Sequence, residues 1–192
     1  PIHWVPGRKR DLAGPVRWAC DLFVSLADNP QETFGITPLE AMAAGLPCIV
    51  SDWDGYRDTV VQPGEADEAT GLRITTRLQQ GLGNPEAIAG VNGVMGDRPT
   101  IGNLSQGIAV DPAVLRHSLN QLLSDSAQRQ AMGDAGKRRV ARLYDWKVVI
   151  EQWRDLIQEL NQRRESAKQS GRTLRPQLPP IRPNTSTAFG CY

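Results

Sequence analysis

The sequence is poor in the residues that metal centres and disulfide frameworks require. It has only two histidines, and its three cysteines, Cys20, Cys48 and Cys191, stand far apart. An odd number of widely spaced cysteines fits neither a disulfide framework nor a zinc site, and we expect no histidine-based catalytic triad. We therefore predict that no metal is bound and that Cys20 and Cys48 are small buried hydrophobes in a reducing compartment.

Long apolar runs and an excess of one charge are also missing. Charged residues interrupt every apolar stretch well before the roughly 18 residues that a membrane span needs, and the first residues show no signal-peptide pattern. The formal net charge of the 192 residues is +1, which gives no general support to nucleic-acid binding. With 40% apolar and 22% charged residues, the composition is that of a globular protein, which we expect in the cytoplasm.

The near-zero net charge hides a basic C-terminal segment. Residues 161–192 carry six basic side chains and one acidic side chain, a net charge of +5, and several prolines follow residue 175. Such a segment cannot build a core. We therefore predict a body over residues 1–165 and a disordered, basic, proline-rich tail over residues 166–192. The tail would make weak contact with an anionic inner membrane face or serve only solubility.

The body shows an alternation of short apolar strands and helices. Strands are predicted at residues 21–26, 47–50 and 71–74, and helices at residues 37–45 and 56–61. Short connections between strand, helix and strand favour an α/β fold with a Rossmann-like parallel sheet and flanking helices. Residues 76–109 lose this periodicity and contain seven glycines, so we interpret them as an irregular insertion.

Helices are predicted again from Asp111, which precedes a proline and a leucine stripe at residues 115, 119 and 122. A second helix over residues 124–144 is expected to be broken or bent near Gly133 and Gly136. Asp145 is expected to cap a third helix, which carries an apolar stripe from Val149 to Leu160 and ends near Arg164.

The segment from Gln31 to Pro47 is the most informative for function. A strand, a turn and a glycine-containing loop lead into a helix, for which Thr37 and Glu40 form a predicted capping box. Unpaired amides and the helix dipole at such a start attract phosphate, and Gly35 allows the backbone to approach a ligand closely. Glu32 is suited to accept hydrogen bonds from sugar hydroxyls, and Glu40 to reach a ribose. The pattern therefore favours a phosphorylated, hydroxyl-rich ligand.

The same residues carry a resemblance to a known family. Glu32 and Glu40 are separated by seven residues, with Phe34-Gly35 after the first and Ala41-Met42-Ala43-Ala44-Gly45-Leu46-Pro47 after the second. This pattern resembles the E-x7-E motif of the retaining family-4 type (group 1) glycosyltransferases of the GT-B fold. The preceding strand, the turn from Ser51 to Asp58 and the Asp145-Trp146 pair resemble that family too, so the resemblance covers about residues 1–160.

The resemblance implies a hexosyltransferase that uses a nucleotide-diphosphate sugar and retains the anomeric configuration. Glu32 would be the catalytic residue, holding the donor hexose through its hydroxyls. Phe34, Gly35, Ile36 and Thr37 would offer backbone amides to the sugar and the diphosphate, and Glu40 would bind the ribose. The family needs no cofactor and no metal, because protein donors and the helix dipole stabilise the leaving diphosphate. The acceptor, a glycan, lipid or small molecule, is not specified.

Simpler interpretations stand beside these roles. Glu40 can act only as a helix-capping carboxylate, and Glu32 can be a solvated loop residue. Asp52 and Asp54 resemble the D-x-D metal motif of a different glycosyltransferase fold, but turn and cap roles explain them as well. His117 is expected on the solvent face of its helix.

The family has a facing, acceptor-binding N-terminal domain, and cations for the diphosphate that precede the matched positions. The chain starts at Pro1, so we expect it to be a C-terminal domain fragment that is inactive alone. The alternative is a non-catalytic module that binds nucleotide sugars or a partner without turnover.

Overall fold

The computed structural model describes residues 2–5, 10–27, 33–78 and 105–170 of the chain. In chain order the described elements are α1 (Arg10–Trp18), β1 (Phe23–Ser25), α2 (Ile36–Ala44), β2 (Cys48–Ser51), α3 (Tyr56–Thr59), β3 (Gly71–Ile74), β4 (Thr76–Leu78), β5 (Ile108–Val110), α4 (Pro112–Ser124), α5 (Ser126–Leu143) and α6 (Trp146–Gln169).

Three parallel strands form the main sheet, in the order β1-β2-β3. Val24 pairs with Ile49, and Ile49 pairs with Leu72 on the other side. Helix α2 connects β1 to β2, and α3 lies between β2 and β3 in sequence. Parallel neighbours joined through helices define an α/β fold. The predicted Rossmann-like sheet with flanking helices is therefore confirmed.

The core lies around the central strand, because every residue of β2 is buried. Ile49 from β2 and Ile74 from β3 pack with Leu122 of α4 and Met132 of α5. Leu115 and Leu119 pack against the same cluster, which confirms the leucine stripe predicted for that helix. Asp111 caps α4 by accepting hydrogen bonds from the amides of Ala113 and Val114, as its position before proline predicts.

Helix α5 runs without interruption from Ser126 to Leu143, so it is not broken at its two glycines. A methyl group built onto Gly133 would lie 2.1 Å from the carbonyl oxygen of Gly45, and one built onto Gly136 would lie 3.1 Å from Cβ of Met42. The glycines are therefore places where α5 approaches the end of α2 closely. Their small size serves packing between helices and does not interrupt the helix.

The predicted irregular region at residues 76–109 has regular ends. Strands β4 and β5 pair antiparallel, with Arg77 opposite Ala109, and Asp52 donates its amide to the Thr76 hydroxyl at 3.1 Å. Residues 79–104 lie outside the described part of the chain. The sequence missed β4 because a three-residue strand is too short for alternation to identify it.

A second unit begins at Arg139 and contains the end of α5 and the whole of α6. Asp145 caps α6 through a hydrogen bond from the Lys147 amide at 2.8 Å, as predicted. The helix continues through Gln169, so it extends four residues into the segment predicted as a tail. Residues 171–192 lie outside the described part.

The two described cysteines differ. Cys48 is fully buried, and burial raises the pKa of its thiol to about 12, as expected for a small core residue. Cys20 is exposed, so the expectation that it is buried is wrong. The short loop between α1 and β1 places it at the surface, although its neighbours in sequence are apolar.

None of the described helices combines the length and apolar character that crossing a lipid bilayer requires.

Candidate functional site

The candidate site is the loop that leaves β1 and enters α2. Gly35 is the N-cap of α2, with a left-handed backbone (φ 79°, ψ 76°) and no side-chain hydrogen bond that caps the helix. This conformation is accessible to glycine at little cost. Ile36 is the first helical residue, so Thr37 and Pro38 occupy the second and third positions.

This geometry corrects the predicted capping box. A capping box needs a Ser or Thr at the N-cap and a Glu three residues later. Here Gly35 holds the N-cap position, Pro38 holds the third helical position without an amide proton, and Glu40 lies in the second turn. The left-handed backbone at Gly35 explains the shift, because Thr would be strained there.

No side chain caps the start of α2, so the amides of its first turn receive no hydrogen-bond acceptor from a cap. Amides in the first helical turn have no intrahelical acceptor, and the helix dipole adds partial positive charge. Ile36 is 66% exposed, and Phe34 and Thr37 are exposed as well. The arrangement is chemically suited to an anion with several acceptor oxygens, such as a phosphate group.

The loop is supported from behind by the turn that follows β2. A methyl group built onto Gly35 would lie 2.3 Å from Cε1 of Tyr56, and one built onto Gly55 would lie 2.2 Å from the amide nitrogen of Phe34. Tyr56 is only 1% exposed, and its hydroxyl shares a hydrogen bond of 2.9 Å with the hydroxyl of Ser25. The backbone at the helix start thus rests on two residues of a different turn.

Glu40 has a partner that the sequence did not indicate. Its carboxylate is exposed and forms an ion pair with the guanidinium of Arg17 through Oε2. The pair joins α1 to α2 across 23 residues of sequence, so no local pattern could have identified it. Because a carboxylate has about four lone-pair sites, the pair leaves acceptor capacity for a ligand hydroxyl.

Of the predicted site residues, the structure brings Phe34, Gly35, Ile36, Thr37 and Glu40 to the start of one helix. Glu32 lies outside the described residues, and its proposed role stays a prediction. Sequence reasoning missed Arg17, Gly55 and Tyr56. The sequence indicates a turn at Gly55. A glycine in a turn does not reveal which backbone segment packs against it.

Asp52 and Asp54, the D-x-D-like pair, have different surroundings. Arg57 makes two hydrogen bonds of 2.9 Å to the Asp52 carboxylate, and Arg73 lies 3.1 Å from the same group. Asp54 has a positive φ of 36°. The pKa of its carboxyl is raised mainly by burial and to a smaller extent by repulsion from Asp58. Among the described residues no group of three potential metal ligands is present. Asp52 therefore serves as an anchor for two arginines.

The role predicted for Asp54 as a helix cap is not found, because Gly55 is the N-cap of α3 and no side chain caps it. The prediction that His117 lies on the solvent face of its helix is confirmed, because His117 is exposed.

A surface depression of about 610 Å³ lies elsewhere in the first unit, and none of its lining residues belongs to the candidate site. It is bordered by residues of the loop before β3 and of α5, namely Pro63, Glu68, Ala69, Gln128, Ala131, Met132, Asp134, Ala135 and Arg138.

Part of the chain matches a known protein family in sequence. Residues 7–82 match the sequence profile of the family described as "Glycosyl transferases group 1", and this stretch contains every candidate site residue. In structure the chain is similar to sucrose-phosphate synthase from Thermosynechococcus elongatus, with 25% identity and a TM-score of 0.46. That similarity covers 71% of this chain and 25% of the synthase, so the chain spans about a quarter of its length. No curated protein has a significant match in sequence.

Proposed function

We propose that the chain is the donor-binding part of a retaining GT-B glycosyltransferase of the family-4 type. It would bind a nucleotide-diphosphate sugar at the start of α2, and the complete protein would transfer the hexose to an acceptor. One observation carries the proposal: an uncapped helix start with a left-handed glycine lies inside the stretch that matches group 1 glycosyl transferases.

Each site residue has a proposed task. The amides of Gly35, Ile36 and Thr37, together with Phe34 beside them, would bind the diphosphate and the adjoining sugar. Glu40, oriented by Arg17, would accept hydrogen bonds from the ribose hydroxyls. Glu32 would hold the hexose hydroxyls and orient the anomeric carbon.

The chemistry needs stabilisation of the leaving diphosphate as negative charge develops on it. Preorganised amides and a helix dipole supply such stabilisation without reorganising during the reaction. The proposal therefore includes no metal and no further cofactor. A facing domain would bind the acceptor, and a cytoplasmic location with weak membrane contact through the basic C-terminal residues completes the proposal.

The first test is release of nucleoside diphosphate from a panel of ADP-, GDP- and UDP-hexoses by the full-length protein, with a glycan, lipid and small-molecule extract as acceptor source. Wild type is expected to release diphosphate from one donor. The rate of Glu32→Ala is expected to fall by at least about a hundredfold, which is the size of effect that losing one electrostatic or positioning contribution has on a reaction rate. The matched control is Glu68→Ala, which removes an exposed carboxylate paired with Arg138. Near-normal turnover by Glu32→Ala contradicts the role of Glu32.

The second test is metal dependence. Turnover is expected to be unchanged by a chelator, and strict dependence on added Mn²⁺ or Mg²⁺ would return Asp52 and Asp54 to consideration as metal ligands. Donor binding without turnover under any acceptor would instead support the non-catalytic binding module.

A further inference from the structure

Residues 51–56 run from the last residue of β2 to the first residue of α3, and they contact the candidate loop on both sides of residues 28–32. We call these six residues the bracing segment. Three contacts carry the argument, and each involves a different residue of the segment.

The first contact fixes the point where the chain leaves β1. The buried hydroxyl of Ser51 donates a hydrogen bond of 2.6 Å to the carbonyl oxygen of Ala27. Because Ser51 ends strand β2, whose four residues are all buried, this bond ties the loop to the central strand of the sheet.

The second contact fixes the point where the loop returns. A methyl group on Gly55 would lie 2.2 Å from the carbonyl carbon of Thr33 and 2.2 Å from the amide nitrogen of Phe34. Both are backbone atoms and cannot move aside without moving the loop. Only glycine at position 55 permits this approach.

The third contact fixes the helix start itself. The Tyr56 ring packs against Gly35, and its hydroxyl bonds to Ser25 at the end of β1. The ring therefore occupies the space that any side chain at position 35 would need, and its hydroxyl is held by the strand from which the loop departs.

The bracing segment is itself held in place. The Asp52 amide donates to the carbonyl of Ile74 at 2.8 Å, and the Asp52 carboxylate is bound by Arg57 and Arg73. Trp53 is fully buried. The bracing segment is therefore attached to the neighbouring strand and to the core as well as to the loop.

We propose that Ser51 and Tyr56 are positioning residues for donor binding, which set the backbone amides of residues 34–37 in the geometry that accepts the diphosphate. The inference rests on the proposed function, since it concerns the same amides. Neither residue needs to touch the donor.

The test is calorimetric titration of the full 192-residue chain with ADP, GDP and UDP. Tyr56→Phe keeps the ring and removes only the bond to Ser25, and Ser51→Ala removes only the bond to Ala27. Each is expected to weaken binding of the preferred diphosphate by about tenfold, the size of one misaligned hydrogen bond to an anion. Tyr56→Leu is expected to weaken it further.

The matched control is Thr70→Val. Thr70, directly before β3, is also fully buried, and its hydroxyl accepts a hydrogen bond of 3.0 Å from the Val61 amide. Thr70→Val is expected to lower thermal stability at least as much as Tyr56→Phe while binding diphosphate as wild type does. The positioning role is wrong if Tyr56→Phe, Ser51→Ala and Tyr56→Leu all bind diphosphate as wild type does. It is also wrong if Thr70→Val weakens binding as much as those variants do.

A second readout separates this inference from the proposed function. The amide chemical shifts of residues 33–37 in the free protein are expected to change in Tyr56→Phe and Ser51→Ala but not in Thr70→Val. Unchanged shifts overturn the inference even if wild type binds diphosphate. If wild type binds none of the three diphosphates, the proposed function fails, and the shifts alone then decide whether the segment braces the loop.

Discussion

Helices α2 and α6 are stabilised in opposite ways. Helix α2 has nine residues, of which Pro38, Leu39, Ala41 and Met42 are buried. Helix α6 has 24 residues and none of them is buried, although it carries Trp146, Trp153 and several aliphatic residues. Within α6, ion pairs one turn apart join Arg154 to Glu151, Arg163 to Glu159 and Lys168 to Glu165.

The difference shows what an amphipathic pattern can and cannot predict. Local ion pairs and length sustain a helix such as α6, and its apolar stripe is real but exposed, with Trp153 60% accessible. Helix α2 is too short to be stable alone, so tertiary packing determines where it starts. The helix start at which we propose donor binding is therefore held in place by the core.

The largest effect should come from removing core contacts of α2. Met42 is completely buried, so Met42→Ala is expected to lower the free energy of unfolding by about 2–5 kcal/mol. Leu156→Ala on α6 is the matched truncation of a partly exposed side chain and is expected to cost under about 1 kcal/mol. Chemical denaturation measures both. Equal losses would show that α6 is packed as tightly as α2.

The next effect tests the close approach of α5 to α2. Gly133→Ala is expected to destabilise by about 1–3 kcal/mol, because the added methyl group meets a backbone carbonyl oxygen. Gly14→Ala in α1 is the control, since nothing lies within 4 Å of its added methyl group. That change should stabilise by up to about 1 kcal/mol through helix propensity. The same sign for both variants would contradict the packing described for α5.

A smaller loss of stability is expected at the helix start. Gly35→Ala should cost about 1–2 kcal/mol for the left-handed backbone, with an added penalty from the Tyr56 ring. Gly64→Ala shares a positive φ, 93°, but has open space around it, so it measures the backbone cost alone. Thermal and chemical unfolding of the two variants give the difference. If Gly35→Ala costs no more than Gly64→Ala, the ring does not constrain the loop.

The smallest effect concerns pH. The pKa of Asp54 is raised in the folded protein, so its contribution to stability is greatest below the ordinary carboxyl pKa and is lost as pH rises through the folded pKa. Asparagine also tolerates a positive φ. Asp54→Asn should therefore be more stable than wild type at neutral pH, by no more than about 0.5 kcal/mol.

Unfolding curves at several pH values check this expectation. The advantage of Asp54→Asn should shrink as pH falls into the range where the Asp54 carboxyl is protonated. An advantage that grows on acidification would contradict the direction of the pKa shift.

Much of the fold could be predicted because its signals are local. Strand β3 occupies the predicted residues, and Asp111 and Asp145 cap the helices for which they were predicted. Helix α2 ends at Gly45 with a left-handed backbone, as a glycine after an apolar helix indicates.

The sequence-based predictions fail where contacts between residues that are distant in sequence determine the local structure. The N-cap of α2 is Gly35 and not Thr37, and the Tyr56 ring, 21 positions later, leaves no room for a side chain at position 35. The Arg17–Glu40 pair and the Ser51–Ala27 bond also join separate segments, and no spacing within the chain predicts them. The candidate site was thus visible as a set of residues, whereas its supporting contacts were not.

The most direct test of the proposed donor site is an amide NMR titration of the wild-type chain with ADP, GDP and UDP. The largest chemical-shift changes are predicted at residues 34–37, with smaller changes at Glu40 and Arg17. Changes confined to the depression between the loop before β3 and α5, or no change with any of the three diphosphates, would contradict donor binding at the start of α2.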